Sequence, residues 1–545
     1  MLCSTGAMRG GDEAKEIAVG IVGAGVAGLQ QARALKARGI SCIVFDLAPR
    51  PGGLWRENYV SYGVQVPVQL YEFPDFPYRP RSACADLCTQ EYADGAAVQE
   101  YIERYVQHFE LEPMLSLRTR VLSLQRRADG KAGWTITYSR NGATSTVQVD
   151  YAVIATGMYS APPNVPEYPG ASEFVASGGA IIHSSKYTDG ALAEGKRVLV
   201  VGGAKSAIDI TIDSATRGES ARSTLVFRHA HWGTPRLLAW FLPFQYVFLS
   251  RLGQLLVSLK QGAYPAGGPR WIDTLKALPI LGWIVSGVMA LAFRLVEELI
   301  ALQLGHYGEW RPSLPVVRDF YGYGHVLSPQ FRQLRARKQF DTVRGEVVRL
   351  EKGVAIIKAD PVRGCFSPGS YSKLAEEVAI PCELIVCATG FRKTYDYLPK
   401  AELAALDVQE DGVYLYRHIF PPAVPDLAFC GAEIATITNI MTHAIHAEYI
   451  ARVVARELAL PTREQMQREV DTVREWKRSW MPKTASRAAL VLLHQTHYHD
   501  QLLIDLGMPW SRKGNPLAVA FMPYQPSDYD GVIGANAPPT VLVVQ

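Results

Sequence analysis

Gly23, Gly25 and Gly28 stand in G-x-G-x-x-G spacing, and an acid, Asp46, closes the next apolar run. These residue types at this spacing can hold a dinucleotide. Gly23 permits a tight turn, Gly25 lets a pyrophosphate approach the backbone, and Gly28 lets a helix pack on a strand. Val26 and Ala27 open that helix, whose N–H groups and positive dipole end suit phosphates. Asp46, about 20 residues on, can accept from both ribose hydroxyls. Beyond it, "APRPGGLWRE" places Gly53, Leu54 and Trp55 where close backbone approach to a flat ring system is expected.

A second turn, "VLVVGGAKSAIDI", begins at Val198. Gly202 and Gly203 are adjacent, and Ala204 stands where the second glycine of the pattern belongs. The strand that follows, "STLVFRHAHW", carries Arg228 where the first unit has Asp46. An acid there would repel a 2′-phosphate, whereas a guanidinium holds one with charge-assisted bonds. The second turn is therefore expected to take NADPH, a dinucleotide that comes and goes, with the first keeping its own as a prosthetic group. Ala204 is tolerable if a mobile ligand approaches less closely.

Other chemistries find little support. The eight cysteines contain no C-x-x-C pair, since three residues separate Cys84 from Cys88. A reducing compartment fits, and zinc or dithiol redox chemistry does not. No Ser-His-Asp spacing is evident. His443 and His446 stand three apart on a helical pattern and are expected to be satisfied helix residues. The net charge of +4 gives no case for nucleic acid.

The elements that must position these residues are short buried strands and amphipathic helices. Ile17 to Val22 and "SCIVFD" read as parallel strands around a helix from Leu29 to Arg38, which Gly39 ends. The strand from Tyr151 ends in Ala-Thr-Gly, with Thr156 and Gly157, and a proline-rich linker follows. "CELIVCATGF" repeats that ending at Thr389 and Gly390. The order turn, ending, turn, ending implies one dinucleotide domain inserted into another. The expected class is α/β, with two Rossmann-like domains. The first domain covers 1–165 and resumes over 391–545, with the NADPH domain at 166–390. A chain of 545 residues has room for both. The first sixteen residues lack an apolar core and read as a frayed leader, not a secretory signal.

Residues 232–330 form a mostly helical insertion with apolar runs flanked by Arg236, Arg251, Lys260 and Arg294. The longest uncharged run, Ala277 to Phe293, has 17 residues with Pro279 near its start. That falls short of the roughly 18–20 expected of a membrane span. Interfacial helices guarding a substrate entrance and a subdomain packed on itself are equal alternatives. The expected location is cytoplasmic, on the cytoplasmic face of a membrane under the interfacial reading.

Taken together, "GAGVAG", "PGGLW", "YEFPDFP", "VIATGMYSAPPNVPEYPG", "HSSKY", "GKRVLVVGGAKSAIDI" and "VCATGF" make the chain resemble the flavin-containing monooxygenase family. The resemblance implies FAD in the first domain, NADPH in the inserted one, and a small-molecule substrate and O2 as partners. It implies a monooxygenase that oxygenates a nitrogen or sulfur centre through a C4a-hydroperoxyflavin. The family fingerprint keeps Gly179, His183 and Tyr187, with Ser177 at its Phe position. Baeyer–Villiger relatives usually have Trp-Pro where Tyr187-Thr188 stands, which tilts against that reaction. By carry-over, Lys205, Ser206, Ala207 and Asp209 lie at the NADPH site. Gln65, beside Val66, takes the place of a flavin-facing Asn and becomes the candidate catalytic residue. A Baeyer–Villiger enzyme, an NADPH oxidase releasing H2O2 and a non-catalytic nucleotide-binding protein stay open as alternatives.

Overall fold

The computed structural model describes residues 17–78, 91–159, 162–217, 223–304, 311–323, 325–326, 329–359 and 377–534. The leader, Cys84 and Cys88 lie outside the described residues.

Four-residue apolar segments such as VGIV and YAVI are too short for helices and build parallel strands. The first sheet runs, in spatial order, Leu427–Phe429, Tyr151–Ile154, Val19–Val22, Cys42–Phe45, Leu115–Ser116. All its pairings are parallel. The helix Val26–Ala37 links the two strands of the first turn. The helix Asn439–Val454 lies against it: Gln30 Nε2 donates to the Ile440 carbonyl at 3.0 Å, and Arg38 pairs with buried Glu448 at 2.6 Å.

The second sheet runs Glu377–Pro381, Val354–Ala359, Phe340–Glu351, Ser223–Phe227, Val198–Val201, Leu384–Cys387, Ala180–His183. Five of its strands are parallel, and the first three form an antiparallel meander. The first unit has a matching meander as a separate sheet, Thr119–Arg126, Trp134–Arg140 and Ala143–Val149. Every strand of the second sheet falls, in sequence, between Tyr151–Ile154 and Leu427–Phe429 of the first. The fold is α/β, with one Rossmann-like unit nested in the other.

Between Trp232 and Phe331 the described chain is mainly helical: Phe244–Phe248, Arg251–Gln261, Trp271–Ala277, Pro279–Gln303 and Val316–Tyr323. The helix Pro279–Gln303 has 25 residues and outruns the uncharged segment read from the sequence. Pro279 begins the helix, at a position whose N–H would be unpaired in any case. The charges that end the apolar run are accommodated in its last turns. Arg294 pairs with Glu298 at 3.2 Å, and buried Glu297 accepts the Val316 N–H at 2.8 Å. By length and composition this helix could cross a membrane: an 18-residue window has mean hydropathy 1.8 and is 6% buried. Its outer face shows Ile280 and Trp283, 77% and 78% exposed. Its inner face gives Met289, Phe293 and Val296 to an apolar cavity of about 120 Å³, closed from the other side by Val257 and Phe320.

Candidate active site

At the first turn, Gly23 has φ +113° and donates its N–H to the Phe45 carbonyl at 2.8 Å. That φ lies in the region open to glycine. Gly202 has φ +147° and donates to the Val226 carbonyl at 2.9 Å. The strand endings repeat the correspondence: Ala155 N–H bonds Val22 O at 2.9 Å, and Ala388 N–H bonds Val201 O at 2.8 Å. The two turns are therefore the same construction made twice.

Gly25 and Ala204 occupy equivalent places and have nearly the same backbone, φ −78° with ψ −176° and φ −97° with ψ −177°. Any residue can adopt that conformation, so Ala204 is not a conformational defect. Space is short at Gly53 instead, since a Cβ on Gly25 would lie 3.6 Å from Gly53 Cα, an ordinary contact. A Cβ on Gly53 would lie 3.0 Å from Gly25 Cα, and Gly52 N–H bonds Ala24 O at 2.9 Å. The loop bearing Gly53, Leu54 and Trp55 thus rests on the first turn. Trp55 Nε1 donates to Tyr71 Oη at 2.7 Å, and its ring stacks on Tyr62. Leu54 is 39% exposed.

Asp46 Oδ2 accepts the Ala24 N–H at 2.7 Å and Oδ1 the Ala48 N–H at 2.8 Å. The carboxylate shapes the turn and keeps lone pairs for ribose hydroxyls. The correspondence of Asp46 with Arg228 read from the sequence is one residue off. Val22 pairs with Phe45, and Val201 with Val226. Phe227 therefore occupies the Asp46 position, buried like the rest of its strand, and Arg228 follows it, exposed.

Both helix starts lack side-chain caps: no side chain bonds the first turn at Gly25 or at Ala204. Uncapped first-turn N–H groups beside a glycine turn are what a pyrophosphate requires. The residues present thus fit two dinucleotides.

Several candidates join the two units. Tyr59 Oη, from the loop after Trp55, donates to Asp209 Oδ2 at 2.9 Å, and Lys205 pairs with the same oxygen. Ser206 also bonds the Tyr59 hydroxyl. Burial pushes the Asp209 carboxyl up against the pull of Lys205. One turn along the helix, Asp213 accepts Ser61 Oγ at 3.1 Å, Tyr187 Oη at 2.9 Å and Arg217 at 2.8 Å. Burial opposes its charge, but Arg217 and the two hydroxyls outweigh burial and hold the carboxyl below its usual range. Tyr187 is fully buried, and its carbonyl accepts the Val60 N–H at 2.8 Å. His183 Nε2 lies 2.9 Å from the Gly390 carbonyl and Nδ1 lies 2.9 Å from Ser185 Oγ. Burial lowers its pKa. Gly179 lies against the ring of buried Phe174, which a Cβ there would overlap.

Thr156 and Gly157 follow the strand beside Gly23, with Gly157 at φ +70°. Thr389 Oγ1 bonds Asn164 O, and Gly390 O accepts the Asn164 N–H at 2.9 Å, tying the second ending to the linker. Ala207 is buried against the second turn. Gln65 is half-buried on a bend between Gly63 and buried Val66.

His446 Nε2 bonds Tyr498 Oη at 2.5 Å. His443, expected to be satisfied, has neither ring nitrogen paired among the described residues, and burial pushes its pKa down to about 4. No metal-binding group of three ligands occurs among the described residues. Sequence reading missed the partners Tyr59, Ser61 and Asp319. Each bonds a residue far along the chain, and no local pattern marks such a pair.

Two nested dinucleotide folds, with a linker hydrogen-bonded to the second strand ending, define a protein built to hold two dinucleotides. The chain belongs to the flavin-binding monooxygenase-like family, whose model matches residues 14–263 and 372–508. It is 25% identical to a probable flavin-containing monooxygenase 1 of Arabidopsis thaliana, covering 94% of this chain and 96% of that protein. Solved structures share the fold. Cyclohexanone monooxygenase from Rhodococcus sp. Phi1 bound to NADP+ gives a TM-score of 0.63 at 17% identity, covering 90% of this chain and 96% of that one. S-allyl-L-cysteine S-oxygenase from Allium sativum gives 0.58 at 18%, covering 90% and 88%. The protein is an FAD-dependent monooxygenase with FAD and NADPH as its cofactors.

Proposed function

We propose that the enzyme oxygenates a nitrogen or sulfur centre of a small molecule. The first turn and Asp46 hold FAD, and the turn at Gly202, with Arg228, holds NADPH. On this reading the FAD domain comprises 1–165 and 391–545, around an NADPH domain at 166–390. Bound there, the cofactors supply the hydride and the activation of oxygen. The balance is substrate, O2, NADPH and a proton giving the N- or S-oxide, NADP+ and water.

This chain's own residues bind, orient and exclude water. The bonds Tyr59–Asp209 and Ser61–Asp213, with the Val60 N–H on the Tyr187 carbonyl, fix the second turn relative to the first. Gln65 offers an amide to the flavin edge. Tyr187 carries the preference for heteroatom oxygenation over the Baeyer–Villiger reaction. Its hydroxyl donates to Asp213 in a fully buried setting, where the Trp usual in Baeyer–Villiger relatives would bring an indole N–H on a larger ring.

The test mixes the NADPH-reduced enzyme with oxygen and a thioether, a tertiary amine or a cyclic ketone. The expected products are sulfoxide and N-oxide. Lactone as the main product would overturn the preference, and hydrogen peroxide alone would point to an oxidase.

The exposed face of Pro279–Gln303 supports peripheral membrane association through 232–330. Leu291 and Leu295 add to it, 63% and 62% exposed, and basic Arg270 stands nearby at the start of the preceding helix. Co-flotation of the full chain with anionic liposomes is expected. Loss of flotation in Ile280→Asp/Trp283→Asp would place the contact on this face, and no flotation of the unaltered protein would remove it.

A further inference from the structure

The loop after Ser223–Phe227 is held from an unexpected side. Asp319, 2% exposed on the insertion helix Val316–Tyr323, lies 2.9 Å from His231 Nδ1 through Oδ1. Its Oδ2 accepts the Trp232 N–H at 2.6 Å. The His231 side chain is 9% exposed. A Cβ built on Gly203 would lie 3.8 Å from His231 Cδ2 and 2.9 Å from the His229 carbonyl. With Nδ1 turned to Asp319, the opposite edge of the ring faces the second glycine turn.

At the first turn the residue equivalent to Gly203 is Ala24, whose N–H goes to Asp46. At the second turn Phe227 has removed that carboxylate. The polar side chains offered at this strand end are Arg228, His229 and His231. Arg228 is exposed on a long flexible stem, whereas the imidazole is fixed by a buried carboxylate. A phosphate-bearing ribose is best recognised by one mobile cation and one oriented imidazole, which, with Nδ1–H given to Asp319, donates from Nε2 as the imidazolium.

We propose that His231, oriented by Asp319, is a binding residue for the adenosine-phosphate half of NADPH. The helical insertion thereby forms part of the nucleotide site. This rests on the reading that the Gly202 turn takes NADPH. Residue 231 binds, and Asp319 is a positioning residue.

The FAD-loaded full chain is titrated with NADP+ and with 2′,5′-ADP, following the flavin spectrum and displacement of NADP+ respectively. His231→Ala is expected to weaken both about tenfold with FAD content unchanged, while the melting temperature falls because buried Asp319 loses a donor. The KM for NADPH should rise while kcat at saturation stays within about twofold, and His231→Gln should recover part of the affinity. Asp319→Asn keeps an acceptor for Trp232 N–H and should weaken binding in the same direction. It serves as the second probe if His231→Ala misfolds. Unchanged affinity for 2′,5′-ADP in these variants, or a loss of melting temperature without a loss of affinity, would overturn the proposal. An unaltered, FAD-loaded enzyme that binds neither probe would instead overturn the NADPH reading beneath it.

Discussion

Tyr59 donates its hydroxyl to Asp209 Oδ2 at 2.9 Å, so a loop of the outer dinucleotide fold grips the first helix of the inner one. Asp209 is 7% exposed and shares that oxygen with Lys205. The pair makes the distance between the two nucleotide sites a property of side chains, not of linkers alone.

Tyr59→Phe keeps the ring and removes the bond. A buried carboxylate losing one donor costs about 1–3 kcal/mol. The melting temperature should fall while FAD is retained, and NADPH-driven flavin reduction should slow under anaerobic stopped flow. A variant with unaltered reduction kinetics would show that the grip does not position the nucleotides.

Gly25→Val and Ala204→Gly should behave oppositely. The Cβ of a valine at 25 makes only ordinary contact with the protein, 3.6 Å from Gly53 Cα, while its branches fill the space a pyrophosphate needs. The purified variant should be colourless. Ala204 already has an unstrained backbone, so Ala204→Gly should change NADPH affinity less than about threefold, adding only the chain entropy of a glycine. Full flavin occupancy in Gly25→Val would move FAD away from this turn.

Arg228→Ala should weaken NADPH and spare NADH. A charge-assisted bond contributes about 1.5–3 kcal/mol, which amounts to roughly 10- to 150-fold in KM or in the NADP+ dissociation constant. Equal losses for both coenzymes would assign Arg228 another task.

Much of this organisation was legible in the sequence. Gly23, Gly25, Gly28 and the paired Ala-Thr-Gly endings announce two turns because each needs small residues at set distances. The place of Arg228 was misread by one residue, since counting from a motif does not reveal the register that Val201 and Val226 fix. The motif that carried Tyr187 and Asp209 did not announce the bonds their side chains make, to Asp213 and to Tyr59. His231 and Asp319 could not be paired from spacing, because tertiary packing alone brings them together. Pro279, near the start of the uncharged run, marks where the helix begins.

His499 makes stability depend on pH. Its Nε2 lies 2.8 Å from Thr442 Oγ1, and burial pushes its pKa down to about 3. An unfolded histidine titrates near 6.5. Below that pH the unfolded chain takes a proton that the folded ring refuses, so stability falls as pH falls from about 6.5 toward 3. At pH 5.5 this one residue should cost about 1.4 kcal/mol relative to pH 7.5. His499→Gln should remove that share of the acid loss in urea unfolding. An identical pH slope in the variant would show that the ring is protonated when folded.

Gln65 should decide whether reducing equivalents reach the substrate. It stands half-buried beside buried Val66, at the offset where the family places a flavin-facing amide. An amide donor or acceptor at the flavin edge contributes about 1–3 kcal/mol when it bonds a buried group. Its loss should therefore raise unproductive oxygen reduction roughly 5- to 150-fold if the bond is absent from that transition state. Gln65→Ala should keep NADPH-driven flavin reduction, yet release more hydrogen peroxide per NADPH consumed and less oxygenated product. Gln65→Asn retains the amide at a shorter reach and should fall between the two. The measurement is the ratio of peroxide to product under saturating substrate, with FAD content determined on the same sample. If Gln65→Ala loses FAD or melting temperature while that ratio holds, the side chain supports the loop alone and coupling belongs to other residues.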